Sequence, residues 1–466
     1  MKKGKGMAVR VGCSLVVLFV SLFIFVPLST ADEGSAGGST GKVSGFLNKL
    51  KDPFSGLPNI FSELSPADVG HKPRIRPHFA FNQGYNSNAR LGNKQADSAW
   101  QARIAPGITV SVPSGKLYTE MDYTYGFSTT QGRKTHANIS THNLSALARY
   151  DLSTDTIIGV GNNFQISEVP GEGGDTFKLE TASAQVQHRL GPKLSASVAD
   201  TFQWFGDATE TTRYSRAGLS RNKEFNNEFV DNGVNVGMAY DATSDLSVGP
   251  SVAWNIRNFD TADAKDFWQI SPGVNASYRL GPKTTVGGNF GWAYRKFSTK
   301  VDSTEHSSQS ELVYGASVNH LYGRKLVWSV NYGKTLQDTF DTSFVFRDTP
   351  ESTALDNLDR DFRVIKSHRL GSSVTYNLNE QNSFGVWGDF SFLSGDADDN
   401  IIVHRKNEEK AMEVGAKYSY RINRYITFDV LFAFGKRFTS DNPSPVTPNR
   451  NDYTFHKVAG GVNIAV

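Results

Sequence analysis

Beyond residue 75 the side chains alternate with a period of two between apolar and polar or small, in stretches of about a dozen residues bounded by turn signals. Between Leu246 and Arg257, one set is Leu246, Val248, Pro250, Val252, Trp254 and Ile256, and the intervening set is Ser247, Gly249, Ser251, Ala253, Asn255 and Arg257. A strand turns successive side chains to opposite faces, so such a segment offers one face to hydrocarbon and the other to water. The same rhythm is clear over residues 104–112, 268–280, 284–295, 412–422 and 425–437. In the last of these, Ile426, Phe428, Val430, Phe432 and Phe434 share the apolar phase, while Thr427, Asp429, Ala433, Gly435 and Arg437 share the other.

Past the N-terminus no stretch approaches the roughly 20 apolar residues that a membrane helix needs. Aromatic residues nevertheless make up 12% of the chain, and many of its 43 glycines are set into strand-like alternation where a soluble core rarely places them. The alternating unit recurs without a change of composition, which favours one large closed sheet over several soluble domains. The expected fold is therefore all-β: a transmembrane antiparallel up-and-down β-barrel.

Short turns alternate with long polar loops, as in barrels that place tight turns in the periplasm and loops outside the cell. The short ones are Pro113-Ser114-Gly115-Lys116, Ser153-Thr154-Asp155, Gly191-Pro192-Lys193, Thr243-Ser244-Asp245, Gly281-Pro282-Lys283, Gly323-Arg324-Lys325, Asn379-Glu380-Gln381 and Asn423-Arg424. The string Leu-Gly-Pro-Lys, at Leu190 and again at Leu280, is the clearest internal repeat, and Gly-Pro supplies a preset turn. The long connections fall at 87–98, 129–139, 167–176, 207–228, 260–266, 298–307, 338–362, 394–409 and 439–452. Eight turns and nine loops predict about 18 strands, or 16 if one hairpin merges, and an even count leaves both chain ends in the periplasm. Pro106, Pro250 and Pro272 fall inside strands, where each removes a ladder donor, so bulges are expected there.

Lys2, Lys3, Lys5 and Arg10 precede an apolar run over residues 11–28, and Ser29-Thr30-Ala31 follows. This is the layout of a cleavable secretory signal over residues 1–31. Residues 32–74 then read as a periplasmic leader and linker, Gly- and Ser-rich at first, and residues 75–466 as the barrel. Loss of the signal removes four cations and takes the formal charge from +3 to −1, so the basic balance carries no indication of nucleic acid. Cys13, the only cysteine, lies inside the signal, which leaves the mature chain without a thiol.

Residues 80–164 carry a loose set of motifs. These are Phe81-Asn82-Gln83-Gly84-Tyr85-Asn86-Ser87-Asn88, Ala105-Pro106-Gly107-Ile108, Asp122-Tyr123-Thr124-Tyr125-Gly126, and His142-Asn143-Leu144-Ser145-Ala146-Leu147-Ala148-Arg149-Tyr150-Asp151-Leu152. In them the chain resembles the β-barrel porin 2 families of bacterial outer membranes. That resemblance implies an outer-membrane barrel, most of whose relatives lack a known substrate while some accompany exopolysaccharide loci.

The alternation assigns Arg103, Glu120, Asp122, Arg149, Arg189, Arg257, Arg279, Arg295, Glu311, Asp389, Glu413, Lys417, Arg421, Asp429 and Arg437 to the lumen, with Asn255, Gln269, Asn275, Asn289, Asn319 and Asn331 between them. A barrel of this size is too wide for side chains to fill, so these groups either line water or pair across the wall. Their mixed sign argues against strong ion selectivity. Trp100, Tyr118, Tyr123, Tyr125, Tyr150, Trp204, Trp254, Trp268, Trp292, Trp328 and Tyr425 fall near strand ends and suit interface girdles, whereas Trp387 is on the inward phase.

No cofactor or metal is implied. Asp396-Ala397-Asp398-Asp399 lacks the spacing of a calcium loop. No G-x-S-x-G elbow or H-E-x-x-H helix occurs, and the three-residue spacing of His142 and Ser145 puts them on opposite faces of a strand, so an enzyme is the minor reading. The main reading is a porin-like passive channel for small hydrophilic solutes. Its expected partners are outer-membrane lipid and lipopolysaccharide, the barrel-insertion machinery and the solutes themselves. The alternative is a barrel that works with a periplasmic partner, docked through residues 32–74, in polysaccharide export or envelope assembly. If the signal is cleaved after Ala31, intact-mass analysis of protein purified from membranes will give a chain that begins at Asp32.

Overall fold

The computed structural model describes residues 73–87, 98–132, 136–169, 175–206, 209–216, 219–226, 229–259, 266–297, 308–337, 365–395, 407–439 and 453–465. The expected signal, nearly all of the expected leader, and Asp396, Ala397, Asp398 and Asp399 lie outside the described residues.

The described chain is built of strands: β1 (Arg74–Asn86), β2 (Ala99–Ser114), β3 (Leu117–Gly132), β4 (His136–Asp151), β5 (Thr156–Val169), β6 (Asp175–Gly191), β7 (Leu194–Gly206), β8 (Thr209–Arg216), β9 (Leu219–Asn226) and β10 (Phe229–Asp241). They continue as β11 (Leu246–Phe259), β12 (Phe267–Gly281), β13 (Thr284–Phe297), β14 (Ser308–Tyr322), β15 (Leu326–Gln337), β16 (Ile365–Asn377), β17 (Asn382–Gly395), β18 (Asn407–Arg421), β19 (Ile426–Thr439) and β20 (Tyr453–Ala465). Each of β1 to β6 pairs antiparallel with its successor, β7 pairs with β10, and the succession runs on to β20. β20 then pairs with β1 from His78↔Ala465 to Asn86↔Lys457, which closes a ring of 18 strands. The expected long connection at 207–228 is instead occupied by β8 and β9, a separate two-stranded sheet. That segment lacks the apolar alternation by which the other strands are recognised, so its sequence reads as a loop.

All eight expected turns join neighbouring strands, and two kinds of chemistry recur among them. Glycine supplies the left-handed backbone at Gly115 (φ +53°) and Gly323 (φ +63°). Elsewhere a polar side chain accepts the turn's N–H groups: Asn379 Oδ1 takes those of Gln381 and Asn382, Asn423 Oδ1 those of Tyr425 and Ile426, and Thr243 Oγ1 those of Asp245 and Leu246.

Bulges do not occur at the strand prolines. In an antiparallel ladder each residue directs its N–H to one neighbouring strand only. Accordingly, the pairing of Pro106 is continuous with β1 and interrupted with β3, that of Pro250 is continuous with β12 and interrupted with β10, and that of Pro272 is continuous with β11 and interrupted with β13. The register on either side of each interruption is unchanged. At Pro250 the Met238 carbonyl lies against Gly249, where an added Cβ would sit 1.7 Å from that oxygen, so only glycine fits. The two register shifts lie between Arg189 and Gly191 and between Arg279 and Gly281, at the two Leu-Gly-Pro-Lys turns.

The cross-strand pairs carry one apolar phase around the outside of the ring. Val252 pairs with Val236 and Pro272, and Phe432 pairs with Ala416 and Val458. These outward side chains are exposed, with Phe290 at 60%, Val430 at 53% and Val252 at 41%, an arrangement that water penalises and lipid favours. At the turn end the outward columns finish in tyrosine: Tyr240, Tyr278, Tyr322, Tyr376 and Tyr420. The barrel strands have 12 to 17 residues, more than the roughly 9 to 11 that cross the hydrocarbon, so they project beyond it. The apolar phase is interrupted on β5 to β10, where Asn162 Nδ2 donates to Glu180 Oε1 and Asn232 Nδ2 to Asp200 Oδ1, each at 3.0 Å.

With this register, Val252→Arg places a cation on the lipid face and is expected to destabilise the folded barrel by about 2–4 kcal/mol in urea titrations in lipid vesicles. Ser251→Arg, on the opposite face, is expected to fold like the parent chain, and equal losses from both would refute the register.

Candidate functional site: the lumenal wall

Strand pairing places Arg103, Glu120, Asp122, Arg149, Arg189, Arg257, Arg279, Arg295, Glu311, Asp389, Glu413, Lys417, Arg421 and Asp429 on the phase opposite the apolar belt. The backbone of Arg437 shares that phase, but its side chain lies outside the described residues. His142 lies on the outward phase, where its Nδ1 is 2.9 Å from the Tyr123 hydroxyl, and Ser145 on the inward one, so the two are not a base and its nucleophile.

The inward charges meet as local pairs, each made within one strand or between neighbouring or next-neighbouring strands. At the β1–β3 sector, Arg76 Nη2 lies 2.9 Å from Glu120 Oε2, which also accepts the Tyr118 hydroxyl at 2.6 Å. Tyr118 is thus a lumenal residue and not part of the interface girdle, because Leu117 and Thr119 take the outward phase of β3. Beside it, His78 Nε2 lies 2.9 Å from Asp122 Oδ2, and the hydroxyls of Thr109 and Thr124 donate to the same carboxylate. On β18 to β20, Asp429 lies 3.2 Å from Lys417 Nζ and accepts from Ser419 and Asn463. Arg149 pairs with Asp151 at 2.9 Å, and Arg369 with Asp389 at 3.2 Å. Arg189, Arg279 and Arg421 are exposed at the turn-end mouth.

The loop end of β7 and β10 to β13 departs from a simple polar lining. Phe205, Phe229, Phe259, Phe267 and Phe297 lie on the inward phase and are almost wholly buried. Phe229 stacks on Phe205 and packs against Phe259, with ring centroids 5.6 and 5.5 Å apart. The Arg257 guanidinium lies 4.5 Å above the Phe229 ring, and that of Arg295 lies 4.0 Å above Phe267. Arg257 engages Asp231 through two nitrogens, Nη2 at 2.6 Å and Nε at 2.7 Å, and Arg295 Nε donates to Gln269 at 3.0 Å. The planar cation fits here because it stacks on the rings while its edge holds a carboxylate. Leu336 of β15 packs against Phe267 and Phe297. Nearby, above Tyr314↔Lys334 where the β14–β15 ladder ends, Glu311 is held by Lys334 at 2.8 Å and Lys366 at 2.6 Å.

Several of these groups are not evident as a site in the sequence. Arg369 and Lys366 lie on β16, whose alternation is weak, Lys334 falls on the apolar phase of β15, and Asp231 gains its role only from β11 beside it. Trp387 points inward as its phase predicts, but its indole covers Gly415, where a Cβ would sit 2.1 Å from the ring, so it shields backbone.

A closed ring of 18 antiparallel strands with an apolar outer belt and a polar, charge-paired inner wall defines a membrane-spanning β-barrel. Among solved structures the chain is similar to the Pseudomonas aeruginosa outer membrane protein OpdK, with a TM-score of 0.46 and 10% identity over 84% of this chain and 99% of that one. It is similar also to OccK5 (OpdH) of the same organism, at 0.42 and 11% over 84% and 98%, and to a mutant ferric enterobactin receptor, PfeA, at 0.47 and 6% over 84% and 80%. No family model and no curated protein matches the chain.

Removing the Asp231 carboxylate strands Arg257 among phenylalanines. Asp231→Ala is expected to cost about 3 kcal/mol in urea unfolding, and Asp231→Ala combined with Arg257→Met to recover more than half of that.

Proposed function

We propose that the protein is a porin-like, non-enzymatic barrel of the bacterial outer membrane that passes small hydrophilic solutes passively, after export under a signal cleaved at residue 31. The observation that carries this reading is the inward wall, whose cations and carboxylates pair locally along the strands. Charges so arranged rigidify and wet the wall without concentrating one sign, which suits conduction of small polar solutes with weak ion selectivity. The resemblance in residues 80–164 to the β-barrel porin 2 families supports the location. Partnership with polysaccharide-export machinery through residues 32–74 has no observation in the barrel that favours it.

Purified protein in a planar bilayer is expected to show stable ohmic conductance, unchanged or larger when residues 32–74 are deleted. Glu120→Gln with Asp122→Asn leaves Arg76 and His78 without their carboxylates and is expected to shift the reversal potential in a salt gradient toward anions. A barrel that stays silent in both forms would refute the channel.

A further inference from the structure

Cations on the two phases of the wall differ in how they are balanced, except that Lys334 and Lys366, on the outward phase where the β14–β15 ladder ends, share Glu311. The inward Arg76, Arg149, Arg257 and Lys417 each face a carboxylate at 2.6 to 3.2 Å. On the outward phase, Lys296, Lys410 and Lys436 stand exposed near the loop end of their strands, and among the described residues none of the three has an ion pair. Two of them are neighbours. Lys410 of β18 pairs with Phe438 of β19, two positions beyond Lys436, so the lysines are diagonal partners on one face, at about 7–8 Å. Each ammonium rests on an outward aromatic ring: Lys410 Nζ lies 5.7 Å from the Phe392 centroid and Lys436 Nζ 4.5 Å from that of Phe438. Among the described side chains on the outward phase of β16 to β20 there is no carboxylate.

Height gives the meaning of this pair. The outward column of β18 runs from Tyr420 through Tyr418, Ala416, Val414 and Met412 to Lys410. Ten residues of strand at a tilt near 40° rise about 25 Å, the height of the apolar band of such barrels. Tyr420 therefore marks one interface and Lys410 the other. A lysine at that level keeps its stem in hydrocarbon and lifts its ammonium to the headgroups, and here no counter-charge lies among the described outward side chains of β16 to β20.

We propose that Lys410 and Lys436 form a clamp on the outer wall for the phosphate of a phosphorylated outer-leaflet glycolipid, with Phe392 and Phe438 packing beneath its sugar or upper acyl chain. The assignment rests on the outer-membrane location proposed above. The shared chemistry is phosphate, and the source is lipid because the clamp sits at the rim of an apolar belt where acyl chains are already present.

The test is native mass spectrometry of the full-length folded barrel released from phosphatidylcholine nanodiscs doped with diphosphoryl lipid A. The parent protein is expected to retain lipid A, and Lys410→Gln/Lys436→Gln to retain it roughly tenfold less, with unchanged conductance and heat-modifiable migration on gels. Lys193→Gln, at the turn end, is expected to match the parent. Equal retention by the double variant, or equal retention of lipid A stripped of its phosphates, would overturn the clamp. Release of the lipid by millimolar inorganic phosphate alone would make this a free-anion site and overturn the lipid assignment. A silent barrel that still holds lipid A through these lysines would remove the channel reading and leave the clamp standing, and membrane fractionation reports the location separately.

Discussion

The pairing of β20 with β1 is the constraint on which the rest depends. Inside a bilayer an unpaired N–H or C=O has no water to bond, and an open sheet would present two rows of them. Closure removes both rows, and once the ring is closed every other choice is made residue by residue. The period of two decides which side chains meet lipid and which meet the lumen, and a slip of one residue in any ladder would exchange the two sets. The strand prolines show how strictly this is kept. Each leaves one interrupted stretch of ladder but no shift, and the cost is contained because each missing donor faces one neighbour only.

The interior follows from the size of the ring. Eighteen strands enclose more space than side chains can fill, so inward groups are held by their neighbours on the wall. Short-range pairs such as Arg76 with Glu120 and Lys417 with Asp429 do this along the strands. Only the loop end of β7 and β10 to β13 builds something closer to a core, where five phenylalanines and two stacked arginines bury one another. A desolvated arginine needs both its carboxylate and its rings, and so this sector is the most interdependent part of the wall.

Much of this was legible in the sequence, for a physical reason. Turns are local, and all eight appear where glycine, proline, asparagine or a short polar run predicted them. Faces are also local wherever alternation is strict, as in β11, β13, β18 and β19. What the sequence hid depends on neighbours far along the chain. β8 and β9 form a polar hairpin with no apolar phase to reveal it. Asp200 and Glu180 lie on the outward phase of strands where alternation is poor, each accepting from an asparagine on an adjacent strand. Alternation assigns Trp387 to the inward phase, but that its indole covers Gly415, 28 positions on, follows only from the pairing of β17 with β18.

The outer wall carries a polarity that alternation alone does not express. At the turn end the columns finish in tyrosines, whose hydroxyls suit a neutral, hydrogen-bonding interface. At the loop end, β13, β18 and β19 carry Lys296, Lys410 and Lys436 instead. An ammonium group without a counter-charge among the described residues at one end of the wall, and absent from the other end of these columns, distinguishes the two ends by charge. The inward wall, where carboxylates and cations alternate within a few ångströms, makes no such distinction. The outer wall thus distinguishes its two ends by charge more firmly than the inner wall favours one sign over the other.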